Sequence, residues 1–265
     1  MDGSKIISVY IQKGGCGKTT TAASLAVLLA KKGYRVLLLD CDPQANLTLS
    51  LKMPVSSPTL YDVFMSRESE YRPQDYVRTL RDGLDAIPAD ARLAELDSAL
   101  SGRMSREFIL KKFLHKRLGV KGLYDFTVID CPPSAGVLPL NALAASDSVI
   151  VPVTAEFLSL NGYVQLRSMV DEIREDVNPS LEIEGVLITR FSASRRGMKV
   201  SHREIEGALQ LTCGSLLYDT RIRENARVMD APRYGKTVTD YAPESNGAVD
   251  YENFAEEFLK KQNNV

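Results

Sequence analysis

The chain has no excess charge of either sign: 33 Lys and Arg stand against 34 Asp and Glu over 265 residues, a formal net charge of −1. Global charge therefore recommends neither a nucleic acid nor an anionic membrane, and such a partner must be met by a local patch. No apolar run approaches the roughly 20 residues of a membrane span. The first strand-like run begins at Ile6, which leaves no room for the apolar segment of a signal peptide, so a cytoplasmic location is expected. The four cysteines, Cys16, Cys41, Cys131 and Cys213, form no CxxC pair. That spacing argues against a zinc ribbon or a disulfide scaffold, and they read as small apolar residues. His115 and His202 lack the partners of a Ser/His/Asp triad and are expected on helix surfaces. No Pro/Gly/Ser-rich linker, repeat or low-complexity run divides the chain, so residues 1–265 read as a single domain.

What is present is alternation. Runs rich in Val, Ile and Leu recur at Ile6–Ile11, Arg35–Asp40, Leu84–Pro88, Phe126–Asp130, Ser148–Val153 and Ile183–Thr189, with a shorter one near Ser215–Tyr218. Between most of them lie helical patterns with apolar residues at three- and four-residue spacing: Thr21–Lys32, Ser105–Lys116, Val137–Ala145, Ser159–Val177, Ser201–Leu211 and Tyr251–Lys261. Near-continuous apolar strands separated by helices predict an α/β fold, a doubly wound and mostly parallel sheet with helices on both faces. Pro54–Arg81 is the least regular stretch and reads as loops and short helices over one face.

The first strand run leads into Lys13-Gly14-Gly15-Cys16-Gly17-Lys18-Thr19-Thr20, and a helical pattern follows at once. Glycines between a strand and a helix let successive N–H groups close on an anion, and the helix N-terminus adds its positive dipole end. Lys18 is placed to reach the β- and γ-phosphates, and Thr19 to ligate Mg²⁺. The second strand ends in Asp40-Cys41-Asp42-Pro43-Gln44-Ala45-Asn46, and the Phe126–Asp130 strand ends in an aspartate followed by Cys131-Pro132-Pro133. In open α/β sheets ligands sit at the carboxyl ends of strands, so Asp40, Asp42 and Asp130 are expected beside the phosphate loop. An aspartate closing four apolar residues is the Walker B arrangement, which makes Asp130 a metal-site candidate. By themselves, Asp40 and Asp42 also fit aspartates that end a strand and open a turn.

The loop departs from the pattern GxxxxGK followed by Ser or Thr, because Gln12 stands where the first glycine belongs and a second lysine, Lys13, stands at the loop's start. In this it resembles the deviant Walker A ATPases of the ParA/MinD group, a division of the P-loop NTPases with the signature KGGxGK followed by Ser or Thr. The DxDPQxN run, the DxPP run, Ala145–Val153, the segment from Glu156 to Leu166, and Ile222–Pro232 with Tyr234-Gly235-Lys236 are also similar to ParA-family segments, so the resemblance spans nearly the whole chain.

The resemblance implies an Mg²⁺-dependent ATPase that binds ATP along Lys13–Thr20. It assigns Asp42 to the attacking water, Lys18 and Lys13 to the phosphates, Asp40 and Asp130 with Thr19 to the metal site, and Asn225 to the adenine. Glu224-Asn225 also reads as a helix cap. Lys13 is implied to cross a dimer interface to the partner's nucleotide. The implied function is plasmid or chromosome partitioning: an ATP-bound homodimer, associated with the nucleoid, holds DNA without sequence preference and hydrolyses ATP when a ParB-type partner stimulates it.

Cations cluster between Arg190 and Lys236. Arg195, Arg196, Lys199 and Arg223 are expected to form part of the DNA surface through phosphate contacts, although a solvated charged face fits the same residues. Two other readings share the loop, a MinD-like membrane-associated positioning ATPase and a ParA-like regulatory or cargo-positioning switch. The acidic C-terminal helix pattern reads as a packing helix, so no membrane partner is expected.

Overall fold

The computed structural model describes residues 4–67, 69–192 and 200–263. Its strands are β1 (Lys5–Val9), β2 (Val36–Asp40), β3 (Arg78–Arg81), β4 (Leu84–Ile87), β5 (Phe126–Asp130), β6 (Ser148–Thr154), β7 (Glu182–Phe191) and β8 (Leu217–Arg223). They form one sheet in the order β3-β4-β2-β5-β1-β6-β7-β8, parallel except for the antiparallel pair β3–β4. From β1 the chain winds to β2 on one side and later to β6 on the other. The carboxyl ends on either side of β1 are thus the place where such sheets hold ligands.

Side chains of each strand alternate between two cores. Leu37 and Leu39 of β2 and Val149, Val151 and Val153 of β6 pack with the helices Val137–Ala145 and Phe157–Asp176. Val36, Leu38 and Ile150 face the other way, against helix α1 (Lys18–Lys31) and the C-terminal helix Asn246–Asn263. Burial on both faces explains the near-continuous apolar strands. In the C-terminal helix Tyr251, Phe254, Ala255 and Phe258 are buried at helical spacing. Phe254 meets the Tyr218 ring edge-on at 5.0 Å, and Phe258 meets Phe126 at 5.7 Å. This helix spends its apolar face on the core, as its sequence suggested, and no described helix is long and apolar enough to cross a membrane.

Three local expectations need correction. Arg78–Arg81 forms β3, an edge strand with an irregular register and half-exposed residues; without a buried face it has no apolar run to mark it. The Ser105–Lys116 pattern is not one α-helix but a 3₁₀ turn (Arg106–Phe108), an α turn (Ile109–Lys112) and a π turn (Phe113–Leu118). Leu110, Phe113, Leu114 and Leu118 are all buried in the core, so the apolar stripe continues across the break. His115 is half-buried there rather than on the surface, and burial lowers its pKa.

Phe258→Ala should remove about 3–5 kcal/mol of stability by opening a cavity between α1, β5 and the C-terminal helix. Chemical denaturation checks this, and a loss below about 1 kcal/mol would mean that the helix does not close this core.

Candidate nucleotide site

The phosphate loop is built by two left-handed glycines, Gly15 at φ 74° and Gly17 at φ 78°, conformations that a side chain would strain. Gly17 also serves as the cap of α1 and no side chain among the described residues caps that terminus, so its first N–H groups stay directed at the loop. The loop is fastened from the neighbouring strands. Thr189, at the end of β7, donates its hydroxyl to the Cys16 carbonyl at 2.9 Å, with the Val153 carbonyl at 3.2 Å. Lys18 is 7% exposed, and its ammonium donates to the Lys13 carbonyl at 2.8 Å, folding back over the loop. Burial lowers the Lys18 pKa, and the nearby Cys16 and Asp130 oppose that shift.

Lys13 lies across the loop's mouth. Its ammonium donates to Glu156 Oε2 at 2.7 Å and approaches Thr154 Oγ1 at 3.2 Å, both just beyond or at the end of β6 of its own chain. The hydrogen bond from Lys13 is the main reason that the Glu156 carboxyl lies below its ordinary pKa.

The three aspartates converge as the strand ends predicted, but in different states. Asp40 is fully buried and accepts from the Thr48 N–H at 2.8 Å, the Thr48 hydroxyl at 2.7 Å and the Asp42 N–H at 3.1 Å. Burial pushes its pKa up to about 6 in spite of these donors. Asp42 is 7% exposed and accepts from the Gln44 N–H at 2.9 Å, which fixes the turn after β2. Asp130 is 1% exposed, and among the described residues neither of its carboxylate oxygens has a hydrogen-bond partner. Burial first, then Asp40, drives its pKa well above the ordinary range, while the nearby Thr19 hydroxyl and Lys18 pull it down.

An AAA domain family matches residues 4–183. The chain is 40% identical over 257 residues to the sporulation initiation inhibitor protein Soj of Bacillus subtilis, covering 96% of this chain and 97% of that protein. It is 36% identical over 260 residues to the chromosome partitioning protein ParA of Caulobacter vibrioides, covering 97% and 95%. The chain belongs to the ParA/Soj family of partitioning ATPases. Among solved structures, cobyrinic acid a,c-diamide synthase from Mycobacterium smegmatis with bound ADP and magnesium superposes with a TM-score of 0.80 at 31% identity, covering 98% of this chain and 96% of that one. The P-loop NTPase fold follows from the sheet and from these neighbours.

In this ParA/Soj protein the donor set around Asp130 fits a hard divalent cation. A buried carboxylate without a partner is costly, and a cation or its bound water relieves it. Among the described residues no group of three or more His, Cys, Asp or Glu side chains can hold a metal. An ion here therefore needs further oxygens from phosphate, water or the Thr19 hydroxyl, which is how Mg²⁺ is usually held. Asp40 accepts three hydrogen bonds within the chain, which tie it to Thr48 and the Asp42 backbone.

The thiols Cys16, Cys41 and Cys131 are buried here and burial raises their pKa, in line with the small-apolar reading. Asn225 caps the short helix Ala226–Asp230, accepting from the Arg227 N–H at 2.8 Å. Arg223, expected on the DNA surface, forks its guanidinium onto Asp250 at 2.6–3.1 Å while its side chain stays 35% exposed. Arg195, Arg196 and Lys199 lie outside the described residues. Thr154, Glu156 and Thr189 were missed as site residues, although the strand-end rule that selected the aspartates points equally to the ends of β6 and β7.

The raised pKa values set a pH dependence for the metal-free protein. The unfolded chain releases these protons at about pH 4 and the folded one only at higher pH, so the carboxyls cost stability as pH rises through about 6. Asp130→Asn should therefore flatten this loss of stability with rising pH and should remove stabilisation by added Mg²⁺. Denaturation in chelator and in Mg²⁺ between pH 4 and 7 tests both, and an unchanged pH slope with retained Mg²⁺ stabilisation would exclude Asp130 as the responsive group.

Proposed function

We propose that this chain is an Mg²⁺-dependent ATPase that partitions DNA, ATP-bound as a homodimer. The observation that carries the reading is the orphaned Asp130 carboxylate beside Lys18 and Thr19, at the foot of an anion-binding loop. Asp130 and the Thr19 hydroxyl would hold Mg²⁺, which would supply positive charge against the phosphate oxygens when bound. The residues of the chain do the rest. Backbone N–H groups of Gly14 to Thr20 cradle the phosphates, and Lys18 neutralises the β- and γ-oxygens. Asp42 orients a water against the γ-phosphorus; as the P–O bond to ADP breaks, the water's oxygen bonds to phosphorus and its proton passes to the medium through the carboxylate. Asn225, at the turn after β8, is carried over as an adenine contact.

Lys13 acts in the dimer. Its ion pair with Glu156 joins groups that are 25% and 58% exposed, and such pairs contribute only about 0.2–1 kcal/mol. A partner's nucleotide can therefore draw the ammonium away, which makes the paired state the resting one. DNA is held through Arg195, Arg196 and Lys199 by phosphate contacts without base readout, with the protein on the nucleoid in its ATP state and released when a ParB-type partner triggers hydrolysis. Against a membrane-bound role, the C-terminal helix buries its apolar face in the core.

Asp42→Ala should keep ATP affinity within about threefold and lose at least about 100-fold in turnover, whereas Lys18→Ala should weaken ATP binding itself. Parental turnover in the Asp42 variant would assign the water to another group. Glu156→Gln should release Lys13 and increase the ATP-bound dimer fraction seen by light scattering; a dimer fraction equal to the parent's would show that the pair restrains nothing.

For DNA, the Arg195→Ala/Arg196→Ala double variant should reduce the slope of log K against log salt by about 2. An unchanged slope removes these residues from the surface.

A further inference from the structure

The end of β7 breaks the alternation of a strand. Thr189 is buried and turned toward the phosphate loop. In a regular strand the next side chain would project from the opposite face. Arg190 instead adopts φ 51°, in the left-handed region, and the pairing with β8 slips between Ile188 and Phe191. The irregularity brings two successive side chains to the same loop: a Cβ added to Gly15 would stand 4.0 Å from Arg190 Nη1, and one added to Gly17 would stand 3.7 Å from Thr189 Cγ2. Bulges of this kind re-aim side chains beside functional sites. A non-glycine residue in the left-handed region is strained and persists only where its surroundings hold it, which happens often at ligand clamps.

The guanidinium itself is loosely engaged. It pairs with Glu224 Oε1 at 3.6 Å, and the two side chains are 57% and 60% exposed. Its charge also acts on Glu156, the carboxylate that holds Lys13. Two cations, Lys13 and Arg190, thus stand at the rim of an anion-binding loop, each on an exposed carboxylate that a stronger anion can displace.

We propose that Arg190 is a further phosphate-contacting residue of this site, acting within its own chain: it leaves Glu224 for the terminal phosphate of a bound nucleoside triphosphate and makes the site prefer triphosphate over diphosphate. The proposal rests on the ATPase reading and adds a residue outside the phosphate loop and the strand-end aspartates. A guanidinium offers parallel N–H donors that match two phosphate oxygens, which a surface carboxylate at 3.6 Å does not exploit. Glu224 directly precedes Asn225, so its release connects terminal-phosphate occupancy to the turn that caps Ala226–Asp230.

The test is equilibrium titration with a fluorescent non-hydrolysable ATP analogue and with fluorescent ADP, both with Mg²⁺, on the full chain and on Arg190→Ala, Arg190→Lys and Arg190→Gly. Loss of the guanidinium should weaken the triphosphate about 10- to 100-fold and leave ADP within about twofold, with the lysine variant in between. Glycine accepts the left-handed backbone without strain, so Arg190→Gly should melt no lower than Arg190→Ala and still lose the preference; this separates the missing charge from a disturbed strand end. Parental triphosphate affinity in the alanine and glycine variants, or equal losses for both nucleotides, would overturn the proposal. A parent that binds neither nucleotide would overturn the ATPase reading and this proposal with it.

Discussion

Asp40 and Asp130 end neighbouring parallel strands in register, and two like charges withdrawn from water side by side do not both ionise without a nearby cation. The fold treats the pair unequally. Asp40 takes donors from Thr48 and the Asp42 backbone, which ties the turn after β2 to the sheet. Asp130 meets no hydrogen-bond partner among the described residues, and the groups that act favourably on it, Lys18 and Thr19, both lie in the first turn of α1. Electrostatic demand from below and open N–H groups above define one place for a cation–phosphate complex.

The other half of the sheet holds the loop rather than the charge. At the ends of β6 and β7, Thr154 and Glu156 hold Lys13, Thr189 bonds the Cys16 carbonyl, and Arg190 stands beside Gly15. The buried Thr189 contact fixes the loop's backbone, whereas the exposed ion pairs of Lys13 and Arg190 hold side chains weakly. Rigid backbone with weakly paired cations at the rim suits the proposed response to the terminal phosphate and to a second subunit.

The parallel strands were legible because both faces are buried and each reads as an apolar run; Phe126–Asp130 and Val137–Ala145 appear with the boundaries that the pattern assigns. The edge strand Arg78–Arg81 escaped because polar residues on a half-exposed ladder carry no such signal. Ser105–Lys116 kept its apolar stripe but not its helical hydrogen bonding, since spacing reports which residues face the core and not how each turn is closed. At the site, Lys18 and the aspartates followed from motif and strand end. The pairing of Arg223 with Asp250 did not, because nothing local reveals a partner 27 residues away.

The order of residues alone determined the class of fold, the phosphate loop and the convergence of Asp40, Asp42 and Asp130, because all three follow from local periodicity and from the rule that parallel strands end on one edge. Tertiary structure decided which charges are free to act. Asp40 is bonded to Thr48, Asp130 is orphaned, Lys13 rests on Glu156, Arg223 is paired with Asp250, and Arg190 is turned toward the loop by a left-handed strand end. The physical reason is that burial, hydrogen-bond partners and ion pairing depend on contacts between distant segments, and these set the state of a side chain whose identity the sequence already shows.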